Sequence, residues 1–252
     1  QLKIEDINNF NLYSLIENQF TKIKIDSFYF TDANIEIFRQ PDFNNYQQQF
    51  ASVNIRLNDF LLDSLSMKNT GKLLHADDLE MEVRNYHLKL EDNQHNFTAD
   101  SMHFSTYTNT LGLKNISILP LNEKNNQTRV LVNILCESVN VSDVNLKTLY
   151  HTRILPTQKI EVVNPDVHLQ YNTEIEKSEK QKEAGLLFEL VSAYLRGVYS
   201  NSVTVNNGKL NIQNLNEDKV QGYFETAFHF NLSGFSLDSE SVKQTDKFFF
   251  AS

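Results

Sequence analysis

Few residues in this chain have the types needed for catalysis or metal binding, and their spacing limits what they can do. His75, Asp77 and Asp78 lie close enough to hold a cation between an imidazole and two carboxylates. Asp63 and Asp238 each sit in a Leu-Asp-Ser triplet and could act as ligands or acids. Asp-Ser is also the chemistry that opens a turn, because the carboxylate bonds its own backbone. No second acid or histidine accompanies both triplets, which favours the turn. The position matching His75 beside the second triplet is Phe250, which argues against a metal.

The seven histidines (His75, His87, His95, His103, His151, His168 and His229) show no HxH or HxxxH spacing. His87, His103, His168 and His229 alternate with apolar neighbours and read as the wet face of strands. Cys136 is the one cysteine, so no internal disulfide is available and the thiol reads as a small buried hydrophobe. No glycine-rich phosphate loop, nucleophile elbow or paired-cysteine motif occurs. Five Asn-x-Ser/Thr matches, at Asn96, Asn115, Asn126, Asn140 and Asn231, are what a chain rich in Asn and Ser produces by accident. The chain therefore reads as no enzyme, with no catalytic residue, no metal and no cofactor.

What positions these residues is a repeated β pattern. Leu57 to Ala76 matches Leu232 to Ala251 without a gap at an offset of 175, with ten identities in twenty positions. Ordinary residue usage gives roughly one or two. Between the copies, short runs alternate apolar with polar: Ile35 and Ile37; Val53, Ile55 and Leu57; Leu79, Met81 and Val83; Leu88 and Leu90; Ile116 and Ile118; Val167 and Leu169. Period two marks strands with one dry face. A smaller echo of Ala76-Asp77-Asp78-Leu79 at Ala99-Asp100-Ser101-Met102 suggests an antiparallel meander.

Helical spacing is expected over 8–20, near Asn145 to Tyr150, and over Leu186 to Val198. Asn44-Asn45, Asp92-Asn93, Asn125-Asn126 and Asn206-Asn207-Gly208 read as turns. The expected fold is mainly β: an elongated antiparallel, curled, groove-like sheet built from a repeat of about 175 residues, with two or three short amphipathic helices. Residues 1–175 would form the first unit and 176–252 the helix and truncated start of the second. A chain that opens inside a strand pattern at Leu2-Lys3-Ile4 and stops inside a repeat reads as a piece of a longer protein.

The chain has 252 residues, 40% of them hydrophobic and 22% charged, which is a globular composition. A net charge of −9 argues against a nucleic-acid surface and against electrostatic docking to anionic lipid. No run of 18 apolar residues is present, so no membrane span is expected within this stretch.

Strand after strand has one apolar face, while few helices could cover it. The sheet could fold over as a sandwich, or stay open as a groove for acyl chains, each buried methylene contributing about 0.8 kcal/mol. The order of elements bears on that choice. A helix is followed by Ile23-Lys24-Ile25-Asp26-Ser27, then by a strand pair with Ala33-Asn34-Ile35-Glu36-Ile37. A long meander then passes through Leu113-Lys114-Asn115-Ile116-Ser117 and Ile160-Glu161-Val162-Val163-Asn164-Pro165-Asp166-Val167.

This pattern resembles the AsmA-like and TamB-like envelope proteins of Gram-negative bacteria. The resemblance implies a periplasmic segment of a parent protein anchored in the inner membrane by a helix outside this stretch. It implies a non-enzymatic β-groove that shields lipid acyl chains for lipid transport or envelope assembly, with neighbouring repeats as further partners. The groove lining would fall on Val53, Ile55, Leu57, Leu79, Met81, Val83, Phe228 and Phe230. The alternative is a structural or adhesive β-repeat closed around its cores.

Overall fold

The computed structural model describes residues 12–38, 46–65, 72–90, 95–121, 130–172, 195–216 and 219–241. Its strands are β1 (Lys22–Phe38), β2 (Tyr46–Asp63), β3 (Asp78–Lys89), β4 (His95–Ser105) and β5 (Thr110–Pro120). They continue with β6 (Val130–Ser142), β7 (Ile154–Val163), β8 (Asp166–Asn172), β9 (Gly197–Asn216) and β10 (Lys219–Asp238). All ten join one sheet, in the order β1-β2-β3-β4-β5-β6-β7-β9-β10, with β8 sharing the place of β7 between β6 and β9. Asn164, left-handed at φ 50°, and Pro165 interrupt that shared place. Proline has no N–H to give a ladder.

The mainly-β expectation holds, but the sheet is mixed rather than antiparallel. β7 and β8 both run parallel to β9, while every other neighbouring pair is antiparallel. A parallel pair needs a long crossover, and the residues between Asn172 and Gly197 supply its length. The β3-β4-β5 meander is as expected.

Among the described residues the helices are fewer than expected. α1 (Leu146–Thr152) is present where predicted, its N-cap Asn145 accepting the Thr148 N–H at 2.9 Å. Of the first predicted helix, over 8–20, residues 8–11 lie outside the described residues, and Leu12–Leu15 form a 3₁₀ turn with Leu15 exposed. Most of the helix expected over Leu186 to Val198 lies outside the described residues, and its last two positions, Gly197 and Val198, already belong to β9. The expected turns at 44–45, 92–93 and 125–126 also fall wholly or partly outside them.

Asn206-Asn207-Gly208 is not a turn. It is a bulge inside the 20-residue strand β9, with Asn207 at φ 54°. The tolerance of asparagine for left-handed angles bends the strand without ending it. The same device recurs across the sheet. Asn85 on β3, Asn115 on β5, Asn164 after β7 and Asn207 on β9 all have positive φ. The strand registers place them in one row, linked through Asp100 and Glu137. Asn115 Nδ2 donates to Asp100 at 2.8 Å and Asn164 donates to Glu137. At each one the inward positions shift by one residue, as from Val83 to Tyr86 and from Val205 to Gly208.

Bulges of this kind kink and twist strands, and a row of them curves the sheet. The apolar face consequently buries itself. One cluster gathers Val53, Val83, Tyr86, Leu88, Ala99, Ile116 and Cys136 from β2 to β6. A second gathers Leu57 and Leu79 with Val141, Leu155, Val198 and Leu237, strands far apart in sheet order. Leu73, Ala76 and α1 residue Leu146 fill the space between them.

From Lys22 to Ala33, β1 pairs with β2 in the register that β9 takes on β10 at an offset of 175; beyond Ala33 the two part, Ile35 facing Phe50 where Leu210 faces Thr226. Lys22 faces Asp63 as Gly197 faces Asp238; Ile25 faces Phe60 as Ser200 faces Phe235; Phe30 faces Ile55 as Val205 faces Phe230. The left-handed residues correspond as well, Asp32 with Asn207 and Asp59 with Gly234. Ala33 opposes Val53 where Gly208 opposes Phe228, so a smaller residue meets a larger one in the second hairpin. A methyl group on Gly208 would collide with the Phe228 ring. Gly208→Ala is expected to destabilise the fold by about 1–3 kcal/mol. Combined with Phe228→Val, which restores the pairing of the first hairpin, it should cost less than the two single changes summed, by about 1 kcal/mol in a denaturation cycle. Strict additivity would show that the two residues do not share this contact.

Candidate functional site

Six of the eight predicted lining residues come together. On β2 and β3, Val53 opposes Val83, Ile55 opposes Met81 and Leu57 opposes Leu79, all on the apolar face. Four of them are core rather than surface: Val53 is 2% exposed and Val83 1%, and Leu57 and Leu79 are also buried. Strands on both sides and the curvature of the sheet exclude water there. Phe228 and Phe230 lie apart from these six, on the edge strand β10, their rings stacked at 5.7 Å and 15°.

The exposed part of the apolar face is at the two wings. Phe28 and Phe30 on β1 oppose Leu57 and Ile55, yet Phe30 is 47% exposed. Phe224 and Phe230 on β10 oppose Ile212 and Val205 and are 53% and 38% exposed. Phe28, Phe30 and Phe224 were not among the predicted lining. The Phe28-Tyr29-Phe30 alternation is the signal that could have shown two of them. On the other face Tyr29 stacks under Arg56, whose guanidinium carbon lies 5.4 Å from the ring centre.

The histidine and carboxylate candidates do not converge. Among the described residues no group of three or more His, Cys, Asp or Glu could hold a metal ion. His75, at φ 61°, meets the Phe60 ring edge-on at 6.2 Å, and burial pushes its imidazole below the usual pKa. Asp77 pairs instead with Lys72 at 2.5 Å. His87, His103 and His229 are exposed and His168 half-buried, as their alternation implied. His95 is the exception, buried at a strand start, its Nε2 accepting the Val132 N–H at 3.4 Å.

Both Leu-Asp-Ser triplets make turns. Asp63 Oδ1 accepts the Leu65 N–H at 2.9 Å, and Asp238 Oδ1 accepts those of Glu240 and Ser241 at 2.8 and 2.7 Å. Cys136 is buried, and burial pushes its thiol up despite hydrogen bonds to the Ser138 and Val163 carbonyls.

The polar face carries a shallow cavity of about 520 Å³ above Gly112, lined by His103, Lys114, Asn140, Lys159 and Glu161. Lys159 and Glu161 pair there at 3.8 Å. Toward the other end of β6, Asn133, His168 and Asn211 occupy one row across β6, β8 and β9, and the two asparagine Oδ1 atoms are buried without a partner. His168 Nε2 lies 2.9 Å from Asp166. Neither place presents a nucleophile aligned with a base.

No protein-family model matches this chain, and neither does any curated protein or solved structure.

Asp238 gives a pH prediction. Burial raises its pKa, but the Ser241 N–H, the Tyr199 hydroxyl at 2.7 Å and the Glu240 N–H together outweigh that, and the carboxyl titrates below its ordinary 3.8. A depressed carboxyl stabilises the fold fully above its unfolded pKa and loses that contribution as pH falls through the folded value. The melting temperature of the intact chain should therefore fall further between pH 7 and pH 3 than that of Asp238→Asn. Equal falls would show that the turn does not depend on the charge.

Proposed function

We propose that this sheet is a non-enzymatic, lipid-shielding surface within a repeated β-groove protein of the Gram-negative cell envelope. It would receive acyl chains on its apolar face during transport between membranes or envelope assembly. The parent protein would stand in the periplasm, held to the inner membrane by a segment other than this one. The observation that carries the reading is the row of exposed phenylalanines on the dry face of a single sheet: Phe28 and Phe30 on one wing, Phe224 and Phe230 on the other. Covering the exposed half of each Phe with an acyl chain would contribute roughly 1 kcal/mol. Among the described residues no helix is long and apolar enough to cross a membrane, which is consistent with lipid contact through strands.

A second reading, a structural or adhesive module closed around its core, is favoured by the burial of Val53, Leu57, Leu79 and Val83. That burial also decides which variants discriminate. A charge at Val53 or Leu57 would lie unpartnered in the core and unfold the chain on either reading, so the wings are the place to test.

Native mass spectrometry with solvent extraction of the purified chain should find stoichiometric phospholipid. Phe30→Asp with Phe230→Asp should leave the circular dichroism and melting cooperativity intact and lower bound lipid at least tenfold. A lipid-free chain, or lipid retained undiminished in the folded double variant, would overturn the groove reading.

A further inference from the structure

The two ends of the sheet are built differently. Among the described strands β1 and β10 are at the edges of the sheet, and an unpaired edge is a template for another strand. Proteins blunt such edges with charges or proline. β1 is blunted in that way, carrying Lys22, Lys24, Asp26, Asp32 and Glu36. β10 has no Lys, Arg, Asp, Glu or Pro between Glu225 and Asp238.

What β10 would accept can be read from β2, its counterpart at the offset of 175. β2 has β1 on one side, as β10 has β9. On its other side β2 pairs antiparallel with β3 from Gln48 to Asn58. Burial follows that pairing. Val53, with β3 beyond it, is buried, while its counterpart Phe228 is only half-buried, and Leu57 is buried where Leu232 is half-buried. Position 230 is exposed where Ile55 is half-buried. On β10, Phe228, Phe230 and Leu232 are therefore less covered than their β2 counterparts, at the positions where β2 has a further strand.

We propose that the free edge of β10 is a docking site for one added strand, antiparallel and spelled like β3, the strand of a further repeat unit of this kind. The added strand sets its Leu79, Met81 and Val83 equivalents opposite Leu232, Phe230 and Phe228, the register that β3 takes on β2. Main-chain hydrogen bonds supply affinity and the alternate apolar side chains supply register, as in other strand-addition complexes. This rests on the repeat half of the functional reading and is independent of lipid.

The probe is a synthetic peptide of the β3 sequence, Asp78–Lys89, added to the intact chain. Cysteine is placed on the polar face at Asn231→Cys or His229→Cys in the chain, and at Glu80→Cys or Glu82→Cys in the peptide. Register predicts disulfides for 231 with 80 and for 229 with 82, at least tenfold over the crossed combinations. A Met81→Pro peptide should give none of these adducts. Melting curves of both chain variants, matched to the parent, verify that they are folded.

Absence of adducts in the folded variants would show that the edge is closed by the chain itself and would overturn the proposal. Equal yields in all four combinations would overturn the register. A 231–231 disulfide between two chains, without peptide adduct, would assign the edge to a second copy instead. Lipid extraction of the same samples distinguishes failure of the groove from failure of the edge.

Discussion

A single sheet with one apolar face must bury that face against itself, against a covering layer, or against a guest. In this chain the described covering elements are slight: one seven-residue helix and the segment around Leu73 and Ala76. The sheet therefore bends. The row of left-handed asparagines at Asn85, Asn115, Asn164 and Asn207 supplies the bend, each inserting one residue into the alternation of its strand. Where neighbouring strands kink at the same level, their inward side chains stay in phase, so the curvature is shared and the core remains continuous from β2 to β6.

The extent of bending sorts the apolar residues into two populations. Between β2 and β6 the face is packed, and Val53, Val83 and Val132 are almost without solvent contact. At the wings the same face is more open, and Phe28, Phe30, Phe224 and Phe230 are exposed. Most of the chemistry-bearing polar groups serve local geometry: Asp63 and Asp238 hold turns, Asn145 caps a helix, and Asn164 and Glu137 join two kinks.

The correspondence of the two hairpins ties sequence to architecture. Identical residues at an offset of 175 are one observation; the shared register from Lys22 to Ala33, the bulge before Ala33 and Gly208 and the matching left-handed residues are another, and each depends on different atoms. The Ala33–Val53 and Gly208–Phe228 pairs show the backbone plan kept while the side chains trade volume. Such trading is what close packing demands when one partner of a cross-strand pair changes size.

Much of this was legible in the sequence because strand alternation and turn chemistry are local. Val53-Ile55-Leu57 and Leu79-Met81-Val83 announce a dry face, and Asp63 announces its turn. The parallel pairing of β7 and β8 with β9 was not legible, because strand alternation gives the face of each residue and not the direction or identity of the neighbouring strand. Nor was the difference between a turn and a bulge at Asn206-Asn207-Gly208, since both use the same left-handed residue and only the neighbouring strands decide whether the chain reverses. The sequence by itself determined which residues face away from water. The tertiary structure alone decided which of them are covered, because burial depends on how far the sheet curves and which strand lies beyond each edge.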